Sequence, residues 1–130
     1  MLHDPLAAAL AKIHNAELVG KKEVEIRPAS KMILTVLDLM HEHGYIGSFE
    51  KHDDGPGRTS VKINLLGNIN KCNVIKPRFS TKFAEYTKWE KRYLPARDFG
   101  FLVISTPNGV MTHYGAKEKR IGGKLLAYCY

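Results

Sequence analysis

The residues best suited to recognition chemistry sit in one short run, Ser105-Thr106-Pro107-Asn108-Gly109. The two small hydroxyls end an apolar stretch, Phe99 to Ser105, whose composition predicts a buried strand. Pro107, Asn108 and Gly109 then bend the chain sharply. Hydroxyls held on a stiff turn can approach a groove closely, donate and accept hydrogen bonds, and touch base edges or 2′-hydroxyls. Long lysine side chains lack that definition. The same five residues are also ordinary turn chemistry, so the run by itself leaves the function open.

Catalytic and metal chemistry find less support. His41 and His43 flank Glu42, but residues two apart on a helix do not face one another, and His3, His14, His52 and His113 are scattered. Ser105 or Thr106 with His113 imitates a nucleophile and its base. No Gly-x-Ser-x-Gly elbow surrounds the serine, however, and the nearest upstream carboxylate, Asp98, has no evident orienting role. Neither a phosphate-binding loop nor a dinucleotide fingerprint occurs. The expectation is a protein that is not an enzyme, with no metal, no cofactor and no small-molecule substrate. Cys72 and Cys129 stand outside any Cys-x-x-Cys pair, as expected for ordinary reduced thiols in a cytoplasmic chain. Nothing approaches the run of about 20 apolar residues that a membrane span needs, and Met-Leu-His-Asp-Pro has neither the basic start nor the apolar core of a secretory leader.

Charge points toward a polyanion once it is located. The net charge is +7 over 130 residues. Residues 1–66 hold 8 Lys+Arg against 9 Asp+Glu, and residues 67–130 hold 12 against 4, so the whole excess lies in the second half. Such asymmetry suits nucleic acid or an anionic membrane. A membrane-surface helix would join apolar and basic faces, whereas the apolar helices fall in the charge-balanced half. For DNA, no helix-turn-helix or zinc pattern is present, and hydroxyl turns suit the shallow minor groove of RNA.

The elements that must position these residues divide near Leu66 to Cys72, giving expected subdomains of 1–66 and 67–130. Asp4 caps and Pro5 opens a first helix with Leu6, Ala9, Leu10 and Ile13 on its inner stripe and Gly20 as its stop. Lys22 to Arg27 alternates as a strand that Pro28 ends. Ser30 caps a second helix with Ile33, Val36, Leu37 and Met40 inward and Gly44 closing it. Tyr45 to Lys51 and the alternating Val61, Ile63 and Leu65 form two strands around the Asp53-to-Gly57 turn. The first half is thus an α-β-α-β-β unit whose two helices cover one face of a small sheet. The second half is basic and β-rich: extended from Asn70 to Phe79, a short helix around Tyr86, Trp89 and Tyr93 stopped by Pro95, the Phe99–Ser105 strand, a turn over Thr106 to Gly109, a short helix from Thr112 to Lys119, and a last strand from Lys124. The fold class is α+β with two small subdomains. For Tyr86, Trp89 and Tyr93, packing on the core is favoured over stacking on bases.

Several pieces in order resemble one family. Gly100 to Lys117, continued through Ile121 to Tyr130, is similar to the signature of the universal small-subunit ribosomal protein eight family, and Asp4 to Ala7, Pro28 to Lys31, His43 to Gly47, Asn70 to Cys72 and Val74 to Phe79 agree with it. Trp89 to Arg97 resembles the archaeal and eukaryotic branch. The resemblance implies a two-domain α+β protein of the cytoplasmic small ribosomal subunit, beside neighbouring small-subunit proteins, that binds the central domain of small-subunit rRNA directly and early in assembly. It places the main RNA contacts at Ser105, Thr106 and Gly109, with Pro107 and Asn108 shaping the loop. Many relatives carry a hydroxyl or small polar residue where Pro107 stands, which implies one hydrogen bond fewer. Gly122 and Gly123 would let backbone approach a preceding loop or RNA. Lys124, Lys76, Arg78 and Arg97 would meet phosphates, and Asp4, Pro5 and Lys31 would add secondary contacts, with Asp4 chiefly a helix cap. About five phosphate contacts would give log affinity a slope near −4 against log salt. Gly115 departs from an expected acidic residue and costs its short helix about 1 kcal/mol relative to alanine. The alternative expectation is a translational regulator binding a messenger RNA that mimics the rRNA site.

Overall fold

The computed structural model describes residues 4–27, 29–53, 55, 59–96 and 98–130. The chain forms two compact units, the first ending at Lys71 and the second running from Cys72 to Tyr130.

In the first unit, α1 (Pro5–Leu18) starts where Asp4 Oδ1 accepts the Ala7 N–H at 3.1 Å, with Pro5 occupying the position whose missing donor would have no partner anyway. It buries Leu6, Ala9, Leu10, Ile13 and Ala16. Helix α2 (Lys31–Glu42) starts in the same way, with Ser30 Oγ accepting the Ile33 N–H at 3.3 Å, and buries Ile33, Val36, Leu37 and Met40. Gly20 and Gly44 follow the two helices at φ +76, a left-handed conformation that ends each helix without a Cβ clash. Strands β1 (Glu23–Ile26), β2 (Ile46–Asp53) and β3 (Thr59–Leu65) form an antiparallel sheet in the order β1-β3-β2. The register sets Val24 opposite Ile63 and Ile26 opposite Val61, so the buried side chains share the face that the helices cover. Asp54, Pro56 and Gly57 of the expected turn, and Pro28, lie outside the described residues.

The second unit is built around a sheet in the order β4-β8-β6-β7, with β5 also pairing β8. Its strands are β4 (Cys72–Val74), β5 (Ser80–Thr81), β6 (Phe101–Thr106), β7 (Gly109–Thr112) and β8 (Gly123–Cys129). Helices α3 (Tyr86–Tyr93), entered through a 3₁₀ turn at Phe83–Glu85, and α4 (His113–Lys119) contribute to its core. That core joins Tyr86 and Trp89 of α3 and Ala116 of α4 to Leu102, Ile104, Leu125 and Tyr128. Leu125 and Tyr128 are three apart yet share a face, because the β6–β8 register slips between Val103 and Ile104 and leaves Leu126 as the extra residue of a bulge. Pairing also sets the buried thiols Cys72 and Cys129 opposite each other. Strand β7 departs from the expected turn-then-helix: Gly109 to Thr112 pairs with β6 as a four-residue strand before α4 begins. So short a stretch, ending on the residue that caps the next helix, carries too few alternations to register as a strand.

Candidate nucleic-acid interface

The hydroxyl run forms a tight hairpin. Thr106 pairs with Gly109 at the end of β6 and β7, leaving Pro107 and Asn108 as a two-residue exposed tip. Thr106 Oγ1 donates to the Gly109 carbonyl at 2.7 Å and accepts the Asn108 N–H at 3.2 Å. The donor and one of the two acceptor sites of that hydroxyl are thereby used inside the turn, and the residue is buried. Gly109 adopts φ +111, which a side chain would strain. Thr106 therefore builds the bend that carries Ser105. Sequence alone could not separate the two hydroxyls, because which one turns back into the loop depends on the hairpin register.

Ser105 behaves differently. It is half-buried, and among the described residues its Oγ has no hydrogen-bond partner. Strand pairing sets Ser105 opposite Val110 on one side and Lys124 on the other, and Lys124 in turn opposite Ser80 of β5. Facing residues of paired strands project to the same side, so a row of hydroxyl, ammonium and hydroxyl crosses three strands. Lys124 and Ser80 are exposed. Ser80 had no place in the sequence reading; only the two-residue pairing of β5 with β8 brings it there.

Gly122 and Gly123 hold this row together. A Cβ on Gly123 would stand 2.3 Å from the Ser105 carbonyl oxygen, and one on Gly122 would stand 2.3 Å from that of Thr81. At both glycines protein backbone passes too close to admit a side chain. Ser105 to Gly109, Gly122, Gly123 and Lys124 thus gather at one end of one sheet.

Other expected residues are placed elsewhere. Lys76 and Arg78 are exposed in the connection between β4 and β5. Asp4, Pro5 and Lys31 belong to the first unit, where Asp4 and Pro5 start α1 and Lys31 is the first residue of α2. Arg97 lies outside the described residues. The rings of Tyr86 and Trp89 are buried and occupied by packing, so they offer no stacking platform. Tyr86 donates its hydroxyl to the Ile121 carbonyl at 2.8 Å, and burial raises its pKa above the ordinary phenol value.

The imitation of a nucleophile and base dissolves in three dimensions. His113 is buried, its Nδ1 accepts the Leu102 N–H at 3.0 Å, and its Nε2 lies 3.2 Å from Glu90 Oε1. The ring is committed to the α3–β6 side of the core and serves no hydroxyl on the hairpin. Among the described residues no group of three or more His, Cys, Asp or Glu side chains is placed to hold a metal, and no helix is long and apolar enough to cross a membrane.

The family model for ribosomal protein S8 matches residues 4–130, nearly the whole chain. The chain belongs to the ribosomal protein S8 family. As an S8-family protein it is a component of the small ribosomal subunit, with small-subunit rRNA and ribosomal proteins as its partners. The family is a structural ribosomal protein family and not an enzymatic one. Within that S8 frame the Ser105–Lys124 row is a cluster of two hydroxyls and an ammonium at one end of the second unit's sheet.

Proposed function

We propose that this protein binds the central domain of small-subunit rRNA directly and helps that domain assemble in the cytoplasmic small subunit. The observation that carries the reading is the unspent Ser105 hydroxyl beside the Lys124 ammonium, on a hairpin whose shape Thr106 and Gly109 fix. Lys124 supplies attraction to phosphate, and Ser105 supplies a short, directional group for a 2′-hydroxyl or base edge. Pro107, Asn108, Gly122 and Gly123 shape and support that surface. Lys76, Arg78 and Arg97 add to the electrostatic attraction, and Asp4, Pro5 and Lys31 add secondary contacts from the first unit.

Binding of a central-domain rRNA fragment tests this. Ser105→Ala should weaken it by about 1 to 2 kcal/mol, the worth of one hydrogen bond to a polar or charged partner, while leaving duplex DNA binding and the melting temperature unchanged. Thr106→Ala should lower both RNA affinity and stability, and Thr106→Ser should restore both, since serine keeps the hydroxyl that closes the turn. An equal loss on RNA and DNA for Ser105→Ala would mean that the hairpin reads nothing.

A further inference from the structure

The cations of the second unit do not share one surface. Ile104 faces the core that α3 packs upon, and Ser105, its neighbour in β6, projects to the opposite side of the sheet. The Ser105–Lys124 row and the outer face of α3 therefore look away from each other. That outer face carries Lys88, Lys91 and Arg92, all exposed. They lie three and four residues apart, a spacing at which like charges destabilise a helix.

Of the two acids nearest this row, one reaches Lys88 and the other is turned away. Glu85 Oε1 accepts the Lys82 N–H at 3.0 Å and its other oxygen lies 4.0 Å from Lys88. Glu90 is turned against Lys117 and His113. Among the described residues, Lys91 and Arg92 meet no carboxylate. The Arg92 guanidinium stands 5.3 Å from the Phe79 ring, 5.5 Å from Trp89 and 5.4 Å from Tyr93, which fixes a side chain that would otherwise be mobile. Lys91 also lines a cleft of about 640 Å³, with Thr87, Lys117, Leu94 and Pro95 and with Glu90, whose charge Lys117 and His113 face. Two cations that meet no carboxylate, one of them held against aromatic rings and the other at the edge of a cleft whose single acid is already paired, are suited to a phosphodiester strand.

We propose that the outer face of α3 is a second RNA-contact surface, which binds a segment of small-subunit rRNA different from the one met by the hairpin. A rigid duplex lying against one side of the sheet does not reach the other, so two surfaces facing apart require two segments. The protein would then join them, a role that a single reading loop cannot fill. The second surface is independent of Ser105.

The test uses the full-length protein, protein-free small-subunit rRNA and hydroxyl-radical footprinting, with affinity measured across a salt series. Wild-type protein should protect two separate stretches of rRNA. Lys88→Gln/Lys91→Gln, both exposed positions, should lose one stretch, keep the other, and flatten the slope of log affinity against log salt by about 1 to 2. Ser105→Ala should weaken, by about tenfold, protection of the stretch that the double variant keeps, and leave the slope unchanged. A double variant with unaltered footprint and slope overturns the second surface, and so does loss of the same stretch in both variants. If the hairpin reading alone fails, Ser105→Ala is silent while the double variant still loses its stretch. If α3 instead serves a neighbouring protein, the wild type leaves a single footprint on bare rRNA, which also overturns the proposal.

Discussion

The two units use one construction and dispose of charge in opposite ways. Each places two α-helices against an antiparallel sheet. In the first, acids and bases meet on the surface: Glu23 reaches Lys62 at 3.2 Å across paired strands, and Glu25 reaches Arg27 at 2.9 Å. In the second, acids are drawn into structural work. Glu90 is largely buried against Lys117 and His113, and Glu85 caps the turn before α3. Its exposed cations are left to face outward. Net charge by half of the chain therefore understates the contrast, because pairing decides which charges are available to a partner.

The contrast can be broken at graded cost. The largest effect belongs to Gly123→Ala, whose Cβ has no room at 2.3 Å from the Ser105 carbonyl. It should destabilise by about 3 kcal/mol. Amide exchange should show protection lost in β6 and β8 and kept in β1 to β3; loss in both sheets alike would mean the units do not melt separately. Glu90→Gln comes next, with about 2 kcal/mol expected because Lys117 keeps its charge without its partner, whereas Glu23→Gln, at an exposed pair, should cost no more than about 0.5 kcal/mol. Matched urea denaturation of the two variants reads that difference directly.

Tyr86 extends the comparison to pH. Burial raises its folded pKa above the unfolded phenol value, so its stabilisation is present below pH ~10 and is lost as pH rises through the higher folded value. Tyr86→Phe should cost about 1 kcal/mol near neutrality, from the hydrogen bond to Ile121, and should flatten the alkaline decline in a pH series of melting curves. The smallest effect has the opposite sign. A Cβ on Gly115 meets only Met111, at 3.6 Å or beyond, so Gly115→Ala should stabilise the second unit by about 0.5 to 1 kcal/mol. Thermal melting that shows no gain would mean α4 is not limited by its glycine.

Much of the first unit was legible because its signals are local. Asp4 and Ser30 lie immediately before the helices they cap, and the inner stripes of α1 and α2 follow from spacing alone. The second unit was legible mainly as an ordered set of motifs and an excess of cations. Its β5 and β7 are two and four residues long, and such strands exist only through their partners.

The amino-acid order by itself determined the α+β class, the caps, the basic second half and the hydroxyl-bearing bend, because each rests on neighbours a few positions apart. Tertiary structure decided that Thr106 spends its hydroxyl on the turn while Ser105 keeps its own, that Ser80 and Lys124 join Ser105 in a row, and that the cations of α3 look the other way. Those outcomes depend on strand register and on a one-residue bulge in β8, where a shift of a single position turns every following side chain to the other face of the sheet.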